Sequence, residues 1–557
     1  MANTITDNRT SLTTCDALTG MVNLTGGGSG SLDAEVKIEG SFSVGLDIGS
    51  GLKGILYDTG SAQSWAGSTV YIWINCGIVG LLDTKANGGF RIRFTGASTV
   101  DWFEVYVGGS DSWPPAVSGG WVQFVVDVTT ARADAVTNSH TNGTVPTTSQ
   151  VQFVGWAGIT GGSMPRKVDN CWMDQIAVLG SATPGIIIQG RNGGTTDWNS
   201  ADIATQLGIP VGTFIPTTGG AYKVNTPIQI GVNDTVTHGF ADTNALWLWD
   251  DQEFLPDTFY KITALGNVSG TTNIAFGSKT GTGVTATGAQ GLIISAAAAG
   301  ARWDIDFTDA NLDSVGLYGC ILVHGRDFLL NSASVEVIST TYLDGSSLDA
   351  DNSLQQFNTI VNANTADSVA FANTADLGDF LGNSFEFSDG HAIEITVAGT
   401  YTLSGNKLVG YLGTPGTNLV VSSGSTDAAI YNSSAGLVTI NVADSGDTPS
   451  IRNAAGSTTQ VNNNISVTLT GMRDNTEVRV LDNTTKEFLA GIENATAGTA
   501  DDRSFAFSLA AALVVDIAIF NTGYILPPNN RIENFTIPAT DASLPVTQVV
   551  DRNYVNL

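Results

Sequence analysis

An asparagine recurs in front of short apolar runs through the second half of the chain, and its spacing constrains the fold more than any other feature. The spacings are 27, 25, 23 and 26 residues, and the asparagines are Asn331, Asn358, Asn383, Asn406 and Asn432. Repeats of this length are typical of coils that stack on one another and share parallel sheets. Asparagine tolerates the left-handed backbone of a corner, and stacked side chains can hydrogen-bond to each other. We therefore predict a parallel β-helix-like solenoid over residues 304–455.

The composition favours strands over helices throughout the chain. Gly accounts for 65 of the 557 residues, and Thr, Ser, Asn and Asp fill the stretches between short apolar runs. These residue types are poor helix formers. A chain of this length also exceeds one compact core, since a domain averages ~150 residues. We therefore predict an all-β protein with several domains.

The charge balance narrows the classes of partner. Only 13% of the residues are charged, yet the net charge is −29. An acidic surface of this kind argues against nucleic acid as a partner and keeps a multi-copy assembly soluble. It is equally compatible with bound Ca²⁺. We predict no other cofactor.

The chain has four isolated cysteines and no conventional targeting segment. Cys15, Cys76, Cys171 and Cys320 lack the close pairs of a zinc site or a redox motif, so we expect them to be buried small residues. The first residues contain no basic segment followed by an apolar one, which predicts folding in a cytoplasm. No stretch has the ~20 strongly apolar residues of a membrane span, so membrane insertion is not expected.

Residues 32–182 alternate in the manner of antiparallel strands. In Phe90-Arg91-Ile92-Arg93-Phe94 the apolar side chains point one way and both arginines the other. The last strand, Val168-Asp169-Asn170-Cys171-Trp172-Met173-Asp174-Gln175-Ile176-Ala177-Val178, resembles the closing strand of concanavalin-like jelly-roll modules. The resemblance implies a β-sandwich of a kind used for carbohydrate or protein recognition.

The flanking segments complete the N-terminal half. Residues 1–31 are predicted to form an N-terminal arm that attaches to a particle, and residues 183–303 a β-rich connecting region. One short helix is predicted from Asn199 to Leu207, because Asn199 or Ser200 can cap it and Gly208 can end it.

Residues 456–557 again read as short strands, and a small immunoglobulin-like sandwich is predicted. The end of this segment, residues 544–556, together with Ser457–Val467 and Asp482–Leu489, resembles C-terminal modules that recur in phage structural proteins. The resemblance implies a virion context for the whole chain.

Asp304 and Asp306 form the one candidate catalytic pair. In the run Arg302-Trp303-Asp304-Ile305-Asp306, alternation places Arg302 and both carboxylates on one face, with the two Asp residues ~7 Å apart. Paired carboxylates at such spacings cleave glycosidic bonds, and a lyase would add Ca²⁺ and a basic residue. The alternative is a solvated outer strand face, balanced by Arg302.

Three tryptophans are candidate glycan contacts. Trp113 lies in a turn-rich loop, where an exposed ring can stack on a sugar, and Trp247 and Trp249 precede an acidic cluster. The alternative for Trp247 and Trp249 is burial against a core. No metal site is predicted, and no Ser, Cys or His lies in a nucleophile motif.

These features together predict a bacteriophage virion protein, a tail fibre or spike subunit that attaches to host-surface glycans. Its expected partners are itself, as a homotrimer, other virion proteins and host surface polysaccharide. It would be assembled in the host cytoplasm and located on the tail or capsid surface. A capsid decoration or head-fibre protein is one alternative. A tailspike depolymerase, either a glycoside hydrolase or a polysaccharide lyase, is the other, although a passive structural role fits the sequence better than an enzyme.

Overall fold

A computed structural model of the chain describes residues in two compact units, 1–329 and 330–557, which are treated separately below. The described residues are 4–24, 30–38, 40–48, 51–76, 90–108, 120–138, 141–142, 145–160, 168–181, 183–207, 214–217, 219–243, 245–248, 260–280, 283–284, 293–295, 303–323, 325–343, 347–361, 367–371, 380–386, 391–409, 411, 418–419, 428–443, 446–462, 465–473, 475–492, 503–509, 513–521, 523–527, 529–538 and 542–551.

The protein is all-β, as predicted, with strands in nearly every described segment. Two helices accompany them in the described ranges, Val128–Asn138 and Ser200–Leu207. The second helix confirms the prediction made from its capping residues, because Asn199 Oδ1 accepts a hydrogen bond from the backbone N–H of Asp202 at 3.0 Å. Neither helix is long and apolar enough to cross a membrane.

The first unit begins with two antiparallel sheets of six strands each. The first contains Trp121–Asp127, Thr69–Cys76, Val168–Leu179, Ser43–Ile48, Ser31–Asp33 and Thr10–Thr13. The second contains Thr141–Asn142, Trp102–Gly108, Phe90–Thr95, Val151–Thr160, Gly51–Gln63 and Met21–Asn23. Residues from both sheets share one apolar core, and Phe90, Ile92 and Phe94 lie in it as the alternation predicted.

The described part of residues 1–31 is built into these sheets and does not form a separate arm. Thr10–Thr13 pairs with Val168–Leu179, and Met21–Asn23 pairs with Gly51–Gln63. Thr4–Asp7 pairs antiparallel with Ile186–Gln189, where the next set of sheets begins. The physical reason is that strand edges attract any segment with free backbone groups, and the first residues satisfy those edges.

Three further sheets follow in the first unit, and their strands pair in parallel from one turn of the chain to the next. The first contains Ile186–Gln189, Ile228–Ile230, Tyr260–Ala264, Trp303–Asp306 and Asp327–Leu329. The second contains Phe214–Pro216, Tyr222–Val224, Leu246–Leu248, Ile293–Ser295 and Ile321–Val323, of which only the first pair is antiparallel. The third contains His238–Asp242, Thr272–Phe276 and Ser314–Tyr318, and a small hairpin joins Lys279–Thr280 to Gly283–Val284.

The parallel pairing starts at Ile186, inside the segment 183–303 that the sequence assigned to a connecting region. Its early coils are hard to recognise because their lengths vary: Ile228, Ile262 and Ile305 occupy equivalent register positions but are unevenly spaced in sequence. All three are 0% exposed, which places them in the interior between the sheets.

The second unit also contains three sheets of parallel strands. The first contains Ser347–Asp349, Asp367–Phe371, His391–Ile395, Ile430–Asn432, Ile451–Asn453 and Asn418–Leu419. The second contains Thr341–Leu343, Thr359–Val361, Ser384–Glu386 and Lys407–Val409. The third contains Val335–Ile338, Leu354–Gln356, Phe380–Leu381, Gly399–Ser404, Leu437–Ala443 and Thr458–Asn462.

Polar side chains connect successive coils at one corner, which we call the asparagine corner: Thr340, Asn358, Asn383 and Asn406. The backbone N–H of Thr340 donates to Asn358 Oδ1 at 2.8 Å, that of Asn358 to Asn383 Oδ1 at 2.9 Å, and that of Asn383 to Asn406 Oδ1 at 2.9 Å. Each amide nitrogen donates in turn to a backbone carbonyl of the preceding coil. The predicted bonding between stacked asparagines is therefore confirmed for three of the five.

Asn331 and Asn432 do not belong to this corner, so the five-member repeat is corrected to its middle three. Asn331 Oδ1 accepts from Asn352 Nδ2 in an exposed pair, and Asn432 lies inside the strand Ile430–Asn432, where its Nδ2 donates to Thr458 O. Abundant asparagine produced matching spacings at positions that have other roles.

The chain turns the asparagine corner through left-handed residues that lie directly before the asparagines, and not at the asparagines as the sequence predicted. Ser339, Phe357, Gly382 and Gly405 each precede a member of the corner and have φ values of 53°, 55°, 67° and 65°. Glycine adopts this conformation without cost, whereas Phe357 is strained there. The exposed ring of Phe357 packs over Gly382, which has no side chain to obstruct it.

The C-terminal part of the second unit contains two facing sheets and a short pair. The three-stranded sheet contains Arg503–Leu509, Ile465–Met472 and Ala542–Pro545, and the four-stranded sheet contains Phe488–Ile492, Glu477–Asp482, Val514–Phe520 and Arg531–Thr536. The short pair joins Tyr524–Ile525 to Val549–Val550. Side chains from both larger sheets bury one apolar core.

Candidate functional site

The strand Trp303–Asp306 places both predicted carboxylates on one side of a parallel sheet. Trp303 and Ile305 are at most 1% exposed and point into the interior, so Asp304 and Asp306 alternate onto the outer face. Arg302, predicted to balance them, lies outside the described residues. Two other cations take that role: Lys261 lies in the neighbouring strand Tyr260–Ala264, and Arg326 directly precedes the neighbouring strand Asp327–Leu329.

Asp304 is held by a two-pronged ion pair. Arg326 donates from Nε to Oδ1 at 3.0 Å and from Nη2 to Oδ2 at 2.5 Å, and the backbone N–H of Asp327 donates to Oδ1 at 3.2 Å. Only 5% of the residue is exposed. Burial raises the pKa of Asp304, and the bonds from Arg326 oppose that rise without cancelling it.

Asp306 has a different environment only two residues away. Lys261 Nζ donates to Oδ2 at 2.7 Å, and the hydroxyl and backbone N–H of Thr308 donate to Oδ1 at 2.7 and 3.2 Å. Burial works against ionisation, but the hydrogen bonds from Lys261 and Thr308 outweigh it and lower the pKa of Asp306.

We call this set the ion ladder: Lys261, Asp304, Asp306, Arg326 and Asp327. Every carboxylate oxygen of Asp304 and Asp306 accepts at least one hydrogen bond from a neighbour. Arg326 also approaches Asp327, with Nε 3.2 Å from Oδ2. Because Asp304 and Asp306 are each matched by a cation of an adjacent coil, the geometry joins three coils and gives every oxygen of these two carboxylates a donor from the protein.

The sequence did not identify Lys261 and Arg326 because they lie far away along the chain. Arg326 is 22 residues from Asp304, and Lys261 is 45 residues from Asp306. The coil spacing was the available signal, since residues one coil apart lie side by side in a parallel stack. Uneven coil lengths hid it here.

Trp247 is corrected from a glycan contact to a core residue. Its exposure is 0%, and its ring meets Phe214, Phe240 and Phe276 at centroid distances of 5.4, 5.7 and 5.4 Å. Its indole N–H donates to the hydroxyl of Ser200 at 2.9 Å, at the start of the second helix. A ring enclosed on every side packs the interior and cannot stack on a sugar. The other two candidates, Trp113 and Trp249, lie outside the described residues.

The described residues contain no group of three or more His, Cys, Asp or Glu side chains that could hold a metal ion. Asp309 and Asp313, which follow the carboxylate pair in sequence, bond to backbone instead. Asp309 Oδ1 accepts from the N–H of Asn311 at 2.8 Å, and Asp313 Oδ2 accepts from the N–H of Thr272 at 2.7 Å. Asp309 therefore stabilises a local turn, and Asp313 connects the beginnings of two paired strands.

No family model matches the chain, and no curated protein matches it. The solved structures that it resembles include the catalytic domain of a GH87 alpha-1,3-glucanase in complex with nigerose. Two substituted forms of that domain align with 11% and 10% identity over 79% of this chain and 84% of theirs, with TM-scores of 0.20 and 0.19. A third structure aligns with 12% identity over 76% of this chain and 80% of that domain, with a TM-score of 0.15. Likeness at this level carries no argument about fold or activity.

Proposed function

We propose that this chain is a structural subunit of a bacteriophage particle, a tail fibre or spike component that attaches to host-surface glycans. The observation that carries the proposal is the parallel stacking of strands in three sheets, coil upon coil, in each unit. Stacked coils add length without a larger core, which is the mechanical requirement of an appendage.

The proposed architecture has three modules. Residues 32–182 form a jelly-roll sandwich, the parallel strands form a β-helix, and residues 456–557 form an immunoglobulin-like sandwich. Support for the first and last comes from two sheets around a shared core in each; the pairs are antiparallel, except that Ile465–Met472 pairs in parallel with Ala542–Pro545. Support for the β-helix comes from the in-register partners along each sheet, such as Thr359, Ser384 and Lys407.

The chemistry of the coils favours a scaffold over a reactive cleft. In the asparagine corner the side chains are at most 1% exposed and each amide is bonded to its neighbours. In the ion ladder, cations occupy the carboxylates that a hydrolase would need to keep available. Such contacts resist unfolding, which a particle outside the cell requires.

The subunit is proposed to form a homotrimer located on the tail or capsid surface and to contact other virion proteins. Stacked sheets of three subunits can bury apolar seams against each other, and the net charge of −29 keeps the assembly soluble. The test is native mass spectrometry of the purified protein, followed by imaging of particles labelled on this chain. A monomer that is absent from particles would contradict the proposal, and label on the head would favour the capsid decoration or head-fibre alternative.

One observation favours a second candidate, a polysaccharide depolymerase. The pKa of Asp304 is raised and that of Asp306 is lowered, and such a divergence is what an acid and base pair requires. Turnover of capsular polysaccharide by the purified protein, lost in both Asp304→Asn and Asp306→Asn, would establish this alternative. Retained turnover in either variant would exclude the pair as its catalytic residues.

A further inference from the structure

One parallel sheet of the first unit presents aliphatic side chains on its outer side. The middle residues of its strands Leu246–Leu248 and Ile321–Val323, which are Trp247 and Leu322, are 0% exposed and point into the interior. The residues at both ends of each strand therefore point outward, and they are partly exposed. We call these four residues the first aliphatic strip: Leu246, Leu248, Ile321 and Val323.

A third strand keeps the first aliphatic strip in register. Ile293–Ser295 lies between the two strands, and its first and last residues pair with the first and last residues of both. Equivalent residues of the strip are therefore two strand spacings apart, or ~10 Å, and the two residues within one strand are ~7 Å apart. The strip thus has a regular geometry that the stacking of the coils imposes.

The second unit contains an equivalent arrangement. In its strands Thr341–Leu343 and Thr359–Val361 the middle residues, Tyr342 and Ile360, are at most 4% exposed, so the end residues point outward. The two threonines are register partners of each other, and so are the two aliphatic residues. We call the aliphatic pair the second aliphatic strip: Leu343 and Val361.

Other outward faces of the stacked sheets carry groups that bind water. In the first unit, the sheet that contains Trp303–Asp306 carries the ion ladder. In the second unit, the strands Gly399–Ser404 and Thr458–Asn462 direct exposed hydroxyl and amide side chains outward, among them Thr402 and Gln460. The aliphatic strips differ from these faces because their side chains gain nothing from contact with water.

The net charge indicates which partner can reach the strips. Each copy of the chain carries a net charge of −29, so copies that met through charged faces would bring like charges together at a cost in free energy. The two strips contain no charged side chain, so identical chains can meet there without that cost. Removing aliphatic surface from water would stabilise the contact by ~25 cal/mol per Å².

We propose that the two aliphatic strips form the contact between copies of this chain, which stand parallel around a common axis. Rotation about an axis along the stack keeps every coil at its own height, so each strip residue meets the same residue of another copy. The ~4.8 Å spacing of neighbouring strands is then identical on both sides of the contact and stays matched over successive coils. The inference rests on the proposed function, which includes a homotrimer, and it names the faces that join the copies.

Charged residues border both strips and define where the contact ends. Lys223 is the register partner of Leu248 in the first unit. In the second unit, Glu386 is the register partner of Val361, and Lys407 follows in the next strand. We therefore expect the contact to end at these charges, since copies at equal height would place each charge beside its own equivalent.

The first test is native mass spectrometry and sedimentation of the full chain over a range of concentrations. Val323→Glu and Val361→Glu are each expected to lower the association constant at least about a hundredfold, because every copy adds a carboxylate to an uncharged contact. Thr402→Glu is the matched control, since it adds the same charge to an exposed polar face, and a change within about twofold is expected.

The second test does not depend on a destabilising substitution. Thr359→Cys is expected to cross-link copies through a short bis-maleimide, because Thr359 lies beside the second strip and meets its own equivalent. Thr402→Cys is expected to give no more product than the unsubstituted chain, whose Cys15, Cys171 and Cys320 are buried. This test remains informative if Val361→Glu fails to fold, which hydrogen exchange of residues 354–361 would reveal.

The possible outcomes separate the contact from the homotrimer. A monomeric unsubstituted protein would overturn both and would leave the strips to a different partner. An oligomer that persists in both glutamate variants, without cross-linking at position 359, would overturn the contact while the homotrimer stands. Equal cross-linking at positions 359 and 402 would contradict the assigned face.

Discussion

The asparagine corner and the ion ladder join neighbouring coils through opposite chemistry. The corner uses uncharged amides that are at most 1% exposed and that bond to backbone groups. The ladder uses charged side chains, and its cations Lys261 and Arg326 are about 40% exposed, at 40% and 39%. Both connect side chains one coil apart, but only the ladder is in contact with water and salt.

This difference in exposure implies that the two regions contribute unequally to the free energy of unfolding. A buried backbone N–H that loses its partner costs ~1–3 kcal/mol, because water cannot replace that partner. An exposed ion pair contributes ~0–1 kcal/mol, because water and salt ions compete for both charges. We therefore expect the asparagine corner to contribute more to the stability of the stacked coils than the ion ladder does.

The largest effect is expected from Asn383→Ala. The change removes the acceptor of the Asn358 N–H and the donor to Gln355 O, both of them buried. Local opening of the coils should become easier by about 2–4 kcal/mol, since two buried groups lose their partners. Hydrogen exchange of the backbone amides around residues 354–361 measures this opening.

Asn331→Ala provides the matched control. Its amide is also bonded to another asparagine one coil away, but that pair is exposed. We expect a change within about 0.5 kcal/mol. Equal losses in the two variants would show that burial is not what distinguishes the corner from other asparagine pairs.

The same contrast explains which features of the fold could be predicted from the sequence. The asparagine corner was predictable because each of Asn358, Asn383 and Asn406 occupies one recurring backbone position, so chemistry and spacing coincide. The all-β class and the helix at residues 200–207 were predictable from local propensity and capping. Patterns that act locally, or that recur, survive in a single sequence.

The partners of Asp304 and Asp306 were not predictable, because Lys261 and Arg326 reach them across coils of unequal length. Trp247 has the same local pattern whether its ring is buried or exposed, and only the packing of Phe214 and Phe276 around it decides. Features that depend on which strands become neighbours require the fold.

Asp516 is a carboxylate that accepts hydrogen bonds both from an uncharged amide, as in the asparagine corner, and from a cation, as in the ion ladder. It is 2% exposed, and it accepts from the amide of Asn483 at 2.9 Å and from Lys486 Nζ at 2.8 Å. The hydrogen bond from Lys486 and those from Asn483 and the Asn534 N–H lower its pKa to about 2. A lowered pKa stabilises the fold above the unfolded value of 3.8, and this contribution is lost as the pH falls from there towards 2.

The C-terminal sheets should therefore weaken by about 1–2 kcal/mol between pH 5 and pH 2 through this one group. Asp516→Asn should remove that part of the pH dependence. Glu533→Gln is the control, because Glu533 is an exposed acid of the same sheet that accepts a long hydrogen bond of 3.3 Å from Asn529 Nδ2. The measurement is hydrogen exchange of the backbone amides in the C-terminal sheets at several pH values. The assignment would be contradicted if both variants kept the full pH dependence.

Phe357→Asn is expected to stabilise the asparagine corner. Phe357 has a φ of 55°, which costs a side chain of this type ~1 kcal/mol, whereas asparagine tolerates the conformation. Loss of the ring contact over Gly382 offsets part of the gain. We expect slower exchange of the neighbouring amides by up to about 1 kcal/mol, with Leu437→Asn, another exposed apolar residue, as the unchanged control. A loss of protection in Phe357→Asn would show that the ring contact outweighs the backbone strain.

The smallest effects are expected in the ion ladder, and they should differ in sign. Asp306 has a lowered pKa, so its charge stabilises the fold at neutral pH and this contribution is lost as the pH falls through its folded pKa. Asp304 has a raised pKa, so its charge costs stability at neutral pH and the cost is relieved on acidification.

Asp306→Asn should thus weaken local protection at pH 7 by about 0.5 kcal/mol, whereas Asp304→Asn should leave it unchanged or raise it, because Arg326 can still donate to an amide oxygen. Raising the salt concentration should shrink the Asp306→Asn effect and leave the Asn383→Ala effect intact. Equal salt responses at the two sites would contradict the distinction between the solvent-exposed ion ladder and the buried asparagine corner.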